Sequence, residues 1–245
     1  MKPQIRRLMT ALAFAAGAAM SGTALADGLH QGDIFPGLVA GRLVVLNEVP
    51  TAFATGYKIF EGDFGDFAGG PFKTDDPGFD HEDSAFAPFS QLWYRGLGAL
   101  GFWNGSAWVT GPAGTSVTVE DALGSKTFFS AAGVAAPDGA IGQFNAAGNI
   151  HRHLDFELVP GATSPVGAYL ITLQLTSRTA AGLVPGPYLD SLPFHIVFNN
   201  GLAAGAFEAS VIALAVPEPG TYAMLLAGLL VLGAVTRRRS GAAAR

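Results

Sequence analysis

Short apolar runs separated by Gly, Pro and small polar residues make up most of the chain between its two ends. β-Branched and aromatic residues fill these runs, and Gly or Pro recurs every several residues, which is the pattern of short strands joined by turns. No stretch between the ends shows a convincing helical period over three turns. We expect strands at 42–49, 57–60, 89–95, 107–110, 115–120, 126–129, 151–159, 168–177, 192–198 and 206–214.

This pattern predicts an all-β fold, in which a single domain over residues 27–215 forms a β-sandwich or a jelly-roll-like structure. About 190 residues are enough for one domain with its own core. A signal peptide would precede this domain, and a short apolar helix would follow it.

The N-terminal end has the features of an export signal. Lys2, Arg6 and Arg7 form a positive region, an apolar stretch covers 8–20, and Ala-Leu-Ala stands at 24–26. We therefore expect a signal peptide over 1–26 that is removed after Ala26.

The C-terminal end, 216–245, has three parts: Pro217-Glu218-Pro219, an apolar run over 222–235, and Arg237-Arg238-Arg239. Their order resembles the PEP-CTERM sorting signal that exosortase systems of Gram-negative bacteria recognise. The apolar run has 14 residues, fewer than the ~20 that cross a bilayer comfortably, and the arginines fit a cytoplasmic stop. The resemblance implies exosortase as a partner, a transient transmembrane helix cut near the Pro-Glu-Pro, and delivery to the cell surface or extracellular matrix. An ordinary C-terminal membrane anchor is the alternative.

The domain between these ends is acidic and has no cysteine. Seven of the 14 basic residues but only one of the 19 acidic residues, Glu218, lie in the ends. The remaining seven and 18 leave a net charge of about −11, which argues against nucleic-acid binding. The absence of cysteine excludes thiolate metal sites and cysteine catalysis, so a transition-metal site would need His with Asp or Glu.

Two segments look like connections rather than strands. Segment 61–83 has eight acidic residues against one lysine, with several Gly and Pro, and is expected to be a long acidic loop. Segment 131–149 is rich in Gly and Ala and is expected to be a flexible connection.

The clearest chemical motif is His151-Arg152-His153-Leu154-Asp155-Phe156-Glu157. On a strand, side chains alternate between the two faces, so His151, His153, Asp155 and Glu157 would share one face. Imidazoles two residues apart project in parallel and suit one zinc-type ion, with the carboxylates ligating it or orienting the rings. The alternative is a solvated polar strand face.

Three further histidines are candidate ligands: His30, His195 and His81. His30 stands at the start of the mature chain, close to Asp33, which we expect to support the ligands. His195 is the polar residue of an apolar strand, and a hydrogen-bonded core histidine is its alternative. His81 stands in the acidic segment, where simple solvent exposure is the alternative.

The body resembles the choice-of-anchor M type of exported protein and a related group of PEP-CTERM proteins expected under a zinc-uptake repressor. The residues that carry the resemblance are His30-Gln31-Gly32-Asp33-Ile34, Gly41-Arg42-Leu43, Asp75-Asp76-Pro77-Gly78-Phe79, His151-Arg152-His153-Leu154-Asp155-Phe156 and Gly167-Ala168-Tyr169. The linker 159–166 departs from the aromatic residue and Thr-Pro-Gly usual at that place. The resemblance implies a β-sandwich that handles zinc or works when zinc is scarce.

Enzyme motifs are missing from the sequence: it has no Gly-x-Ser-x-Gly elbow, P-loop, His-Glu-x-x-His or dinucleotide fingerprint. We therefore expect a zinc-binding surface protein and not an enzyme. A matrix or adhesion protein that stacks exopolysaccharide on its aromatic residues is the rival, and a secreted hydrolase is a third hypothesis. The aromatic candidates, for which sandwich core is the alternative, are Trp93, Tyr94, Phe102, Trp103 and Trp108.

Overall fold

A computed structural model describes residues 32–66, 69–82 and 85–216. The expected signal peptide, His30 and the sorting signal from Pro217 onward, including Arg237, Arg238 and Arg239, lie outside the described residues.

Fifteen strands and one α-helix are present in the described part of the chain. The strands are β1 (Pro36–Val39), β2 (Arg42–Val45), β3 (Lys58–Asp63), β4 (Lys73–Thr74), β5 (Phe79–His81), β6 (Gln91–Trp103), β7 (Trp108–Thr110), β8 (Ser116–Glu120), β9 (Lys126–Ser130), β10 (Gly133–Ala135), β11 (Asp138–Gln143), β12 (Ile150–Arg152), β13 (Asp155–Val159), β14 (Gly167–Arg178) and β15 (Phe194–Asn200). A short 3-10 turn covers Gly161–Thr163, and helix α1 covers Ala204–Ala215.

Two large sheets form the sandwich. One has the order β11-β6-β14-β15-β3, with β7 paired to β6, and the other has the order β10-β9-β8-β13-β4. Their inner faces share one buried core, to which the first sheet contributes residues such as Tyr169 and Ile196, and the second contributes residues such as Phe129 and Phe156. The predicted all-β fold is confirmed, because alternating strand positions let each sheet bury one apolar face against the other.

Two small sheets flank the sandwich: β1 pairs with β2, and β5 pairs with β12. The sheet of β5 and β12 matters for function, because it joins the acidic segment to the His-x-His motif.

The expected strand at 206–214 is wrong: this segment is helix α1. Its buried residues Phe207, Ser210 and Val211 stand at helical spacing, and alanine, the best helix former, recurs through it. The apolar side packs on the outer face of the six-stranded sheet.

The expected single strand at 151–159 is also wrong, because the chain changes sheets at 153 and 154. β12 pairs with β5 in a small sheet, whereas β13 pairs with β8 in the sandwich. Leu154 is buried at this crossing.

The two expected loops contain strands. The acidic segment includes the end of β3, all of β4 and β5, because buried Thr74 and Phe79 anchor it to the body. The Gly/Ala-rich segment includes β10 and β11, and β11 pairs with β6.

In the described part of the chain, no helix is long and apolar enough to cross a membrane.

Candidate metal centre

Three segments that are distant in sequence meet at the small sheet of β5 and β12. Asp80 on β5 stands opposite His151 on β12 in the antiparallel register. On the other side of β5, Ile34 forms a parallel bridge to Phe79, with backbone bonds from Ile34 N–H to Gly78 and from Asp80 N–H to Ile34. This pairing brings Asp33 beside the His-x-His motif.

Asp33 is held in a defined orientation. Its Oδ1 accepts a hydrogen bond of 3.0 Å from the Gly78 backbone N–H, and its Oδ2 lies 3.8 Å from His151 Nδ1 and 3.9 Å from His153 Nε2. One carboxylate oxygen is therefore committed to the backbone, and the other faces both imidazoles.

The ring of His153 is fixed by the acidic segment. Its Nδ1 lies 3.0 Å from the backbone carbonyl oxygen of Asp75. A carbonyl can only accept, so Nδ1 carries the hydrogen, and Nε2 of the neutral ring has a free lone pair. Metal-binding histidines commonly donate their other ring N–H to a carbonyl in this way. In the neutral ring this lone pair would face Asp33 Oδ2, 3.9 Å away, which is the orientation that a metal ligand needs.

Gly78 lies against both groups and must be small. A Cβ there would lie 2.7 Å from Asp33 Oδ1 and 2.7 Å from His153 Cε1. These distances are shorter than real Cβ contacts, so any larger residue would displace the carboxylate, the imidazole or both.

Asp33, His151 and His153 offer donor atoms that all lie within 4.8 Å of one another. Donors in a tetrahedral zinc site stand about 3.3 Å apart, because the bonds are about 2.0–2.2 Å long. The separations of 3.8 and 3.9 Å are slightly wider, so small side-chain rotations would close the site. The Asp33 side chain is 19% exposed and that of His151 is 66% exposed, which leaves one side open to solvent.

Three further carboxylates surround this triad. Asp80 Oδ1 lies 3.6 Å from His151 Nδ1, and Asp76 Oδ1 and Asp75 Oδ2 lie 3.6 and 3.9 Å from His153 Nδ1. Asp75, Asp76 and His153 form a second group with metal-binding spacing. We favour the first group, because His153 Nδ1 already donates its hydrogen to the Asp75 carbonyl and so has no lone pair for a metal.

The buried oxygen of Asp80 is an anomaly in this cluster. Its Oδ1 is inaccessible and has no hydrogen-bond partner among the described residues. A buried carboxylate oxygen without a donor is costly, and a nearby cation relieves that cost. The His151 imidazole, whose Nδ1 lies 3.6 Å from this oxygen, or a cation bound beside it would supply such a charge.

Asp155 and Glu157 do not join the histidines as the sequence predicted. Both stand on β13 in the sandwich, where Asp155 is exposed and Glu157 lies 3.7 Å from Lys73 and 3.6 Å from Lys126. The expected shared face is wrong because the chain leaves the small sheet between the two pairs.

His195 lies in a different part of the fold from the triad. Its Nδ1 is 2.9 Å from Thr172 Oγ1, its Nε2 is 3.5 Å from Thr55 Oγ1, and its ring packs against Tyr57. Burial lowers the pKa of His195 to about 4. It is a neutral core histidine, and it belongs to neither group with metal-binding spacing in the described chain.

His81 is buried rather than exposed. It alternates with Asp80 on β5, so its ring faces the core and makes an edge contact with Phe86 at 4.8 Å between centroids. Its Nε2 is buried and has no hydrogen-bond partner within the described ranges. His81 therefore packs on the buried face of the small sheet and does not face the triad.

The sequence predicted no ligand role for Asp75, Asp76 or Asp80: all three fell in the expected acidic loop, and Asp75 and Asp76 also carried the family resemblance. The signal that could have found them is the buried Phe79 beside Asp80, which marks a strand inside the acidic segment.

Most aromatic residues considered for sugar stacking are in the core. Tyr94, Phe102 and Trp103 are buried, and Trp108 is half-buried. Trp93 lies under the Arg178 guanidinium, 3.4 Å from its ring centre. Trp93 also lines a cleft of about 410 Å³ that reaches His153.

A separate buried acid lies beneath α1, outside the triad. Glu61 is 6% exposed, and no described residue hydrogen-bonds its Oε1. Burial, followed by repulsion from Glu208 and Asp63, raises the pKa of Glu61 to about 7.

Residues 215–239 match the family model of the PEP-CTERM protein-sorting motif. No curated protein and no solved structure gives a significant match to the chain. The motif identifies an exported protein that exosortase recognises at the membrane and that is sorted to the cell surface.

Proposed function

We propose that this exosortase-sorted surface protein binds one zinc-type divalent ion through Asp33, His151 and His153. The observation that carries the proposal is the fixed ring of His153, whose free Nε2 faces the same Asp33 oxygen that His151 Nδ1 faces.

The donor set favours a zinc-type ion over calcium or magnesium. Two imidazoles and one carboxylate suit Zn²⁺, whereas Ca²⁺ and Mg²⁺ prefer oxygen ligands. The resemblance to zinc-related exported proteins supports the same choice. His30 remains the predicted further ligand, since it stands three residues before Asp33.

The neighbouring carboxylates would support the ion rather than complete its shell. Asp75, Asp76 and Asp80 add negative charge within a few ångströms of the imidazoles, which favours a cation over an empty cluster. The Asp75 carbonyl also holds the His153 tautomer that a metal needs.

We infer binding rather than catalysis, because the sequence carries none of the hydrolase, nucleotide or metalloprotease motifs considered above. The rival, exopolysaccharide adhesion without metal, has less support, because its aromatic candidates are largely buried. Metal content distinguishes the two proposals.

Zinc titration calorimetry on the exported chain tests the proposal. The wild type should bind about one zinc ion with a Kd below about 10 μM. The double variant His151→Ala with His153→Ala should bind at least about 100-fold more weakly, whereas His195→Gln should bind as the wild type does. Ligation needs neutral imidazole, so protons compete with the metal and affinity should also fall in acid.

Two outcomes would overturn the proposal: wild-type affinity weaker than about 10 μM, or a double variant that binds as well as the wild type. Circular dichroism of each variant separates loss of ligands from loss of fold.

A further inference from the structure

The end of the folded body is firmly attached to the outer face of the six-stranded sheet. Phe207 and Val211 of α1 pack against Ile59 and Val197 in a second apolar cluster. Trp108 Nε1 donates a 2.8 Å hydrogen bond to the Ser210 carbonyl, and this bond joins α1 to β7.

The attachment reaches the last turn of α1. The Phe53 backbone N–H donates a 2.8 Å hydrogen bond to the Leu214 carbonyl, so the segment before β3 lies directly beside the end of the helix. Only Val216 follows α1 before the Pro-Glu-Pro of the sorting motif.

This attachment limits the distance between the body and the membrane. Residues 217–221 separate Val216 from the apolar run that begins at Tyr222. Five residues can span at most about 18 Å even when fully extended. While the apolar run is held in the membrane, the face from which the chain leaves the body must therefore stay close to the lipid surface.

The exit face, defined here as residues 50–57 together with 209–216, is apolar and exposed. Phe53 is 61% exposed, Ile212 is 49% exposed and Val216 is 46% exposed. Neither segment contains a charged residue, although the domain has a net charge of about −11. A charge-free apolar surface directly beside the exit point suits contact with lipid headgroups and the acyl boundary.

We propose that the exit face rests on the lipid surface of the membrane while the sorting signal is uncut. Phe53 and Ile212 insert at the headgroup level on either side of the exit point. The contact presents the Pro-Glu-Pro segment at the membrane surface, and cleavage of the signal would release the body. This proposal rests on the sorting motif and is independent of the metal centre.

Depth-dependent fluorescence quenching can test this contact, because the chain has no cysteine of its own. Single variants Phe53→Cys and Ile212→Cys carry an environment-sensitive dye, and Leu123→Cys is the matched control. Leu123 is 71% exposed in the turn between β8 and β9 of the opposite sheet. The full chain with its sorting signal is purified from a host without exosortase and reconstituted into phosphatidylcholine vesicles that contain spin-labelled lipid.

The dye at positions 53 and 212 should be quenched at least about twofold more strongly than the dye at 123. Equal quenching at the three positions would overturn the proposal. A second result would also overturn the proposal: in detergent, the dyes at 53 and 212 move to a less polar environment as the protein concentration rises. A second copy of the chain would then cover the face. Substitutions at these exposed positions should leave the circular dichroism unchanged.

Discussion

His195 and the pair His151 and His153 show two opposite environments for histidine in one sandwich. His195 stands on a long regular strand, is buried, and within the described chain its ring nitrogens pair with the hydroxyl groups of Thr172 and Thr55. His151 and His153 stand where a short strand ends, are partly exposed, and face carboxylates. Sequence alone placed all three in one metal site.

The comparison shows that the neighbours of an imidazole decide its chemistry more than its own strand does. Hydroxyl partners and burial keep His195 neutral and fixed within the sheet. Carboxylate oxygens 3.6–3.9 Å from the ring nitrogens, together with an open side, give His151 and His153 the surroundings of a cation site.

The largest expected effect is on the stabilisation of the fold by zinc. At a free zinc concentration of 100 times the Kd, binding should raise the free energy of unfolding of the wild type by about 2.7 kcal/mol. Gly78→Ala should remove most of this gain, because its Cβ would meet Asp33 and His153. Thermal or denaturant unfolding with and without zinc measures the gain.

Gly32→Ala is the matched control for this prediction, since a Cβ at Gly32 would have no atom of the described residues within 4 Å. It should keep the full stabilisation by zinc. If Gly78→Ala also keeps it, the triad is not the binding site.

A smaller effect is expected on how the free energy of unfolding changes with pH, through two buried groups outside the triad, His195 and Glu61. The lowered pKa of His195, about 4, means that the unfolded chain takes up a proton between pH 6.5 and 4 and the folded chain does not. Stability from this group is therefore lost as pH falls. Relative to the wild type, His195→Gln should gain about 2 kcal/mol on going from pH 6.5 to 4.

Glu61 provides the opposite trend. Its raised pKa, about 7, means that the folded chain holds a proton between pH 4.5 and 7 that the unfolded chain has lost, so stability falls as pH rises. Relative to the wild type, Glu61→Gln should gain about 2 kcal/mol from pH 4.5 to 7. Urea unfolding across this range measures both variants. Parallel pH profiles for all three proteins would contradict the environments described for His195 and Glu61.

The sequence predicted the sandwich well where strands are long and paired within the sheet. The segment expected at 168–177 is β14, Gly167–Arg178, because its apolar positions recur at every second residue. The helix α1 was missed although its buried positions have helical spacing, because its many alanines also suited a plain apolar strand.

The candidate site was predictable only in part. His-x-His identified two of the three triad members, and Asp33 was expected beside them. The carboxylates of the acidic segment were visible, but the pairing of β5 with β12 joins residues about 70 positions apart, and composition carries no signal for such a contact. Asp155 and Glu157 are close to the histidines in sequence, and for that reason they were wrongly expected on the same face. The carboxylates that do face the histidines come from distant segments.

The most direct measurement for the central claim is X-ray absorption at the zinc edge of the zinc-loaded His30→Ala chain. Removing His30 leaves the described triad as the source of imidazole ligands. The account predicts two imidazole nitrogens and oxygen donors at about 2.0–2.2 Å around each ion. A shell with fewer than two imidazoles, or with three, would contradict a site built on Asp33, His151 and His153.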